Sequence, residues 1–149
     1  MSPSRTESMI VRLYAPADRV EWGRLRTALW PDQTMADMAA WLARPDAVTL
    51  VAERAAGALC GFAEVGARAF ADGCDTQPVA YLEGWYVDAD VRHQGIGTAL
   101  LSRVEAWARE RDYRELASDT ELENRASQRA HERLGFTEVD RAVRYRKWL

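Results

Sequence analysis

Residues 81–101, Tyr-Leu-Glu-Gly-Trp-Tyr-Val-Asp-Ala-Asp-Val-Arg-His-Gln-Gly-Ile-Gly-Thr-Ala-Leu-Leu, constrain this chain more than any other stretch. A β-rich apolar run, Tyr81 to Val87, leads into a polar turn, and Arg92-His93-Gln94-Gly95-Ile96-Gly97 then opens an amphipathic helix. A strand that feeds a glycine-rich turn at a helix N-terminus gathers unpaired backbone N–H groups beside the positive end of the helix dipole. Such a turn binds a phosphate or pyrophosphate without any lysine.

The rest of the composition sets bounds. At 149 residues the chain is expected to form one domain, long enough to bury roughly 70% of its unfolded surface. A hydrophobic content of 48% and a charged content of 29% are those of an ordinary globular protein, and six Trp supply large aromatics for a core or a binding wall. The net charge of −3 argues against a nucleic-acid partner. Arg141, Arg144, Arg146 and Lys147 make a local basic patch, read here as the solvated face of a last strand. Cys60 and Cys74 have neither metal-ligand spacing nor a disulfide framework, and no metal is expected. No run of about 18 apolar residues occurs, so no membrane-spanning helix is expected. Residues 1–8 lack an apolar signal core and read as a disordered N-terminal tail, with residues 9–149 as the domain. The expected location is cytoplasmic.

Taken in order, residues 9–14 read as a strand stopped by Pro16. Asp18 begins a helix that places Val20, Trp22, Leu25, Leu29 and Trp30 at helical spacing, ended by Pro31. A second helix, 34–43, is expected to bury Met35, Met38, Ala39 and Leu42. Residues 48–53 and 59–65 read as a hairpin turning at Gly57, and 67–79 as a long loop with an Asp72-Gly73 turn. After the central strand comes a helix, 97–111, burying Leu100, Leu101, Val104, Trp107 and Ala108. A short strand, 116–118, precedes a helix, 124–134, closed by Gly135. Residues 136–139 and 142–148 are expected to be final strands.

Gly95-Ile96-Gly97 by itself is weak evidence. Position 100 is Leu where a dinucleotide fingerprint needs a third glycine, and no Gly-Lys-Ser or Gly-Lys-Thr ending is present. The order of features says more: strand, Arg-x-x-Gly-x-Gly, helix, short strand, an Asn124-led helix, then Leu134-Gly135-Phe136. This order resembles the GCN5-related N-acetyltransferase (GNAT) family over nearly the whole chain from residue 9. The resemblance implies a single α/β (α+β) domain, with a mixed, mostly antiparallel central sheet flanked by helices and splayed central strands that bind acetyl-coenzyme A. It implies direct acetyl transfer to an amine. The backbone of Trp85, Tyr86 and Val87 would then face the pantetheine arm like an added strand. The amides of His93, Gln94, Gly95, Ile96, Gly97 and Thr98 would hold the pyrophosphate, and the Asn124 side chain would reach the pantetheine while also serving as a helix cap.

A narrower resemblance lies outside that turn. Leu29-Trp30-Pro31, Asp72-Gly73-Cys74-Asp75, Pro78 with Tyr81-Leu82-Glu83-Gly84, and Ala117-Ser118-Asp119-Thr120 together resemble bacterial aminoglycoside 6'-N-acetyltransferases, which modify drugs such as tobramycin and kanamycin. The resemblance puts Trp30, Phe70, Glu83, Asp119 and Asp140 around the drug, and implies a homodimer. A polycationic acceptor needs convergent carboxylates, and Glu83 in an apolar run would be costly unless paired. Glu83 and Asp119 are the candidates to take the proton of the acceptor ammonium. Phe70 stands where the family often has tyrosine, and His131 where many relatives carry a tyrosine acid; a histidine there could donate a proton near neutral pH or pack beside the cofactor, and His131 is not counted as a site. The other readings are an acetyltransferase for a different amine, such as a polyamine, an amino acid or a protein N-terminus, and an inactive coenzyme A-binding sensor.

Overall fold

The computed structural model describes residues 9–149, so the expectation of a disordered tail at 1–8 lies outside the described residues. Strand β1 (Ile10–Leu13) is followed by a short 3-10 turn and helix α1 (Arg19–Leu29), then α2 (Met35–Leu42), β2 (Ala47–Glu53), β3 (Leu59–Arg68) and β4 (Val79–Val87). Helix α3 (Ile96–Glu110), β5 (Leu116–Ser118) and α4 (Arg125–Arg133) complete the described elements. The five strands form one sheet in chain order. The first four are antiparallel and β5 joins β4 in parallel, as a strand reached through a helical crossover must. The mixed, mostly antiparallel sheet is the one expected.

Each helix forms where local signals agree. Thr34 and Asp37 make a reciprocal capping box on α2, with Asp37 N–H donating to Thr34 Oγ1 and Thr34 N–H donating to Asp37 Oδ2. Helix α3 lays Leu100, Leu101, Val104 and Trp107 on one face of the sheet, against Leu50, Ala63, Val65 and Leu82. Helices α1 and α2 cover the other face, where Trp22, Leu25, Met38 and Trp41 pack on Val51 and Phe62. Each fully buried side chain of this size contributes about 1.5–3 kcal/mol, so the two layers hold the sheet between them. Cys60 is buried, as expected.

Three expectations need correction. The final strands at 136–139 and 142–148 do not form, and residues 137–149 lie exposed, with Tyr145 at 92%. Alternating apolar and charged residues predict a half-buried strand, but backbone groups form a ladder only beside an open edge, and among the described residues this segment pairs with none. The basic patch is therefore not the face of a strand. Val20 is 85% exposed and Met35 67%, and Ala39 and Leu42 are exposed too, whereas Trp41 turns inward so that its Nε1–H donates to Thr49 Oγ1 at 2.8 Å. Finally β3 runs on to Arg68, which shortens the loop to residues 69–78.

The feature that positions the site is a β-bulge. Glu64 pairs with Gly84 and Val65 with Leu82, leaving Glu83 as the extra residue on β4. A bulge bends its strand and re-aims the side chain it carries. Beyond it, β4 has no partner on its β5 side among the described residues, because their pairing ends at Leu82 with Ser118. The two strands part, as the resemblance implied.

Candidate functional site

One half of the site is built where β4 parts from β5 and runs to α3. The open edge spans residues 83–87 and therefore includes Trp85, Tyr86 and Val87. Trp85 Nε1–H donates to the Gly97 carbonyl at 3.1 Å, which fastens the strand to the first turn of α3. A Cβ on Gly97 would stand 3.3 Å from the Trp85 ring, so glycine permits this close approach. Arg92 Nε donates to the Val87 carbonyl at 2.8 Å and closes the turn.

His93 (φ 64) and Gly95 (φ 84) both sit in the left-handed region. Alternating backbone conformations of this kind curl N–H groups towards a common point, as in anion-binding nests. Helix α3 has no side-chain cap and no acidic residue in its first turn, unlike α2 with its capping box. Its first amides are left to an outside acceptor. His93, Gln94, Gly95 and Thr98 are exposed, and Ile96 is buried, so Ile96 contributes only backbone to this surface. Asn124 caps α4: its Oδ1 accepts from Ser127 N–H at 3.1 Å, which leaves Nδ2 unpaired within the described residues.

The other half lies on the α1–α2 face of the sheet, in a cleft of about 490 Å³ lined by Trp30, Asp32, Asp37, Glu64 and Glu83 with Arg26 and Arg44. Its floor is a buried ion pair. Arg26 on α1 grips Glu64 on β3 with Nε and Nη2 at 2.8 and 3.0 Å, and Trp22 Nε1–H adds a third bond at 3.3 Å. Burial pushes the Glu64 carboxyl above its ordinary range, and Arg26 opposes this. The Arg26 guanidinium also lies 4.9 Å from the Trp30 ring centroid, and Phe62 meets Trp30 edge-on at 6.0 Å. Trp30 is thereby held as one wall of the cleft.

Gly84 makes room for it, since a Cβ there would stand 2.5 Å from Trp30 Cη2. Gly84→Ala is accordingly expected to drive Trp30 out of place at a cost of about 1–3 kcal/mol in stability. The shift should be visible as altered tryptophan fluorescence together with a lower melting temperature. An unchanged spectrum and melting point would contradict this packing.

Glu83 leaves the bulge pointing into the cleft, where both of its oxygens accept from Arg68, at 2.6 and 2.8 Å. The Arg68 guanidinium lies 3.5 Å from the ring centroid of Tyr81, whose hydroxyl donates to Asp119. The phenol is pushed well above its ordinary pKa, by burial first and by Asp119 second. Glu83 and Asp119 are thus joined through Arg68 and Tyr81, while Trp30 shares the cleft with Glu83. Phe70 is 64% exposed on the 69–78 loop, and Asp140 lies in the exposed C-terminal segment; neither lines the cleft.

Sequence reasoning missed Arg26, Glu64, Arg68, Tyr81, Asp32 and Asp37. The signal for Glu64 was present, because a charge inside an apolar strand needs a partner, the same argument that singled out Glu83. It also missed Ser118. His131 Nδ1 lies 2.7 Å from the Ser127 carbonyl, which can only accept, so Nδ1 carries a proton, and in the neutral ring Nε2 accepts from Ser118 Oγ at 2.8 Å. His131 packs edge-on against Trp85 and Phe136, in keeping with its reading as packing.

Comparisons with known proteins agree on what shares this arrangement. Residues 10–136 match the acetyltransferase (GNAT) family. The chain is 44% identical over 148 residues to an aminoglycoside N(6')-acetyltransferase type 1 of Klebsiella aerogenes, covering 94% of this chain and 97% of that one. Among solved structures it is similar to the aminoglycoside N-acetyltransferase AAC(6')-Iy in complex with CoA, with a TM-score of 0.89 and 34% identity over 97% of this chain and 98% of that one. The same relative in complex with a bisubstrate analogue, CoA-S-monomethyl-acetylneamine, superposes with a TM-score of 0.87 at 35% identity, covering 95% of this chain and 99% of that one.

Proposed function

The chain belongs to the acetyltransferase (GNAT) family, and we propose that within it the protein is an aminoglycoside 6'-N-acetyltransferase, an activity that confers resistance to these antibiotics. The observation that carries this reading is the double role of β4. Its open edge and the uncapped α3 turn suit an extended anionic cofactor, and its bulge turns Glu83 into an acidic cleft. The protein is an acetyl-CoA-dependent N-acetyltransferase, and acetyl-coenzyme A supplies the acetyl group as a thioester.

The residues of the chain fit that cofactor. No acidic side chain competes at the first turn of α3, and Gly95 and Gly97 leave the backbone accessible. The amides of residues 93–98 would bind the pyrophosphate, the backbone of Trp85, Tyr86 and Val87 would face the pantetheine arm, and the Asn124 Nδ2 would be its side-chain donor. Backbone N–H near Val87 would be the donor that polarises the thioester carbonyl.

On the acceptor side, Trp30 supplies an apolar wall for a sugar ring, and Glu83 and Asp119 bind the cation. One of them takes the proton that the 6'-ammonium must lose before its nitrogen attacks. Phe70, from the 69–78 loop, and Asp140, from the C-terminal segment, complete the drug site when the drug is bound. We take residues 9–149 as one catalytic domain working in the cytoplasm, and kanamycin- and tobramycin-like drugs as its substrates. Its exposed apolar residues after Phe136, among them Val139, Val143 and Trp148, support a homodimer, since a second copy would cover them.

The reading is tested by adding tobramycin or kanamycin to the purified protein with acetyl-coenzyme A. Release of free thiol is expected. Release with polyamines or peptides only would redirect the assignment to another amine, and cofactor binding with no release for any amine would indicate a sensor.

A further inference from the structure

Glu83, the carboxylate best placed for the acceptor, is already occupied by a cation of the chain itself. Arg68 is the last residue of β3, and its Nε and Nη2 hold both oxygens of Glu83 at 2.6 and 2.8 Å. A guanidinium is never deprotonated in a protein. While it stays there, the charge of Glu83 is balanced and one acceptor site on each oxygen is taken, so an incoming ammonium group gains less from it. We propose that Arg68 is an internal counter-ion that closes Glu83 in the free enzyme, and that the ammonium of the acceptor displaces it on binding. The proposal rests on the reading of the cleft as an amine site given above.

The surroundings of Arg68 differ from those of the two cations that line the cleft. Arg26 is buried and fixed by Glu64. Arg44 is fastened through Nη2 to the Ala67 carbonyl at 2.7 Å and stacks on Trp41. The Arg68 side chain is 43% exposed, and among the described residues its only hydrogen-bond partner is Glu83. An ion pair this exposed resists opening by less than about tenfold. It also has somewhere to go, because it rests on the Tyr81 ring, whose hydroxyl donates to a second carboxylate, Asp119. Sliding along the ring moves the guanidinium from Glu83 towards Asp119 with its cation–π contact kept.

The consequence is a threshold. An acceptor with several ammonium groups offsets the exchange through Asp32 and Asp37, which line the same cleft. A monoamine has nothing further to offer and is held back. Arg68 thereby selects for polycationic acceptors.

Calorimetric binding to the coenzyme A complex tests this, with tobramycin and the monoamine 6-amino-6-deoxyglucose as probes. Arg68→Gln is expected to tighten binding of the monoamine by about threefold, the size of a partly exposed ion pair, and that of tobramycin by less, because its further ammonium groups already offset the exchange. It should also steepen the salt dependence, because binding no longer exchanges one cation for another. Arg68→Lys restores the internal cation and is expected to behave as wild type, which a merely structural role would not require. Unchanged coenzyme A affinity serves as the control for folding. Monoamine binding that is weaker or unchanged in Arg68→Gln, or an equal gain for both probes, overturns the proposal and leaves the amine site standing. Failure of both wild type and variant to bind either probe overturns the amine-site reading as well.

Discussion

Replacing Glu83 by Gln is expected to lower kcat/KM for an aminoglycoside by about 10²–10³-fold, the range of a general base, with the coenzyme A affinity unchanged. The side chain leaves β4 at a bulge and points into the cleft, whereas the cofactor surface uses only the backbone of the residues that follow. The two functions of the strand are therefore separable by mutation. Asp119→Asn gives the comparison. If Asp119 only binds the cation, its loss raises KM with little change in kcat, while loss of the base lowers kcat. Steady-state kinetics over a range of pH distinguishes the two. An equal loss of cofactor binding in both variants would contradict the roles assigned to these carboxylates.

The second large effect is on stability. Arg26→Leu leaves the Glu64 carboxylate fully buried with only the Trp22 N–H as donor. Removing one partner of a buried pair costs about 3–5 kcal/mol, which corresponds to a fall of roughly 10 °C in melting temperature for a chain of this size. The pH dependence identifies the cause. Glu64 has a folded-state pKa above its ordinary value, chiefly through desolvation. The folded state therefore holds the proton more tightly, and stability falls as pH rises above the ordinary carboxylate range. Without Arg26, which lowers that pKa, the window extends further upward. The deficit of the variant should therefore shrink on acidification towards pH 5, as followed by thermal unfolding. Replacing both residues by leucine should recover most of the loss. A deficit independent of pH would place the cost in packing against Trp30 instead.

What could be read in the sequence and what could not follows from the range of the forces involved. The β4–turn–α3 unit was legible because every signal for it is local: a β-branched and aromatic run, glycines where φ turns positive, and an apolar stripe at helical spacing. Asn124 was legible as a cap for the same reason. The bulge at Glu83 was not, because it exists only in the register between β3 and β4. The partners of Glu64 and Glu83 lie 38 and 15 residues away, and pairing over such separations depends on the fold being complete. The C-terminal residues show the converse failure. Their alternation is that of a strand, and it was read as one, but a strand also needs an edge to join.

The most direct test of the account is the structure of the product. The protein is incubated with acetyl-coenzyme A and tobramycin, free thiol is measured, and the acetylated nitrogen is located by NMR. One equivalent of thiol and a single product acetylated at the 6'-nitrogen is the predicted result. Acetylation at another nitrogen, or thiol released with the drug recovered unmodified, would contradict it.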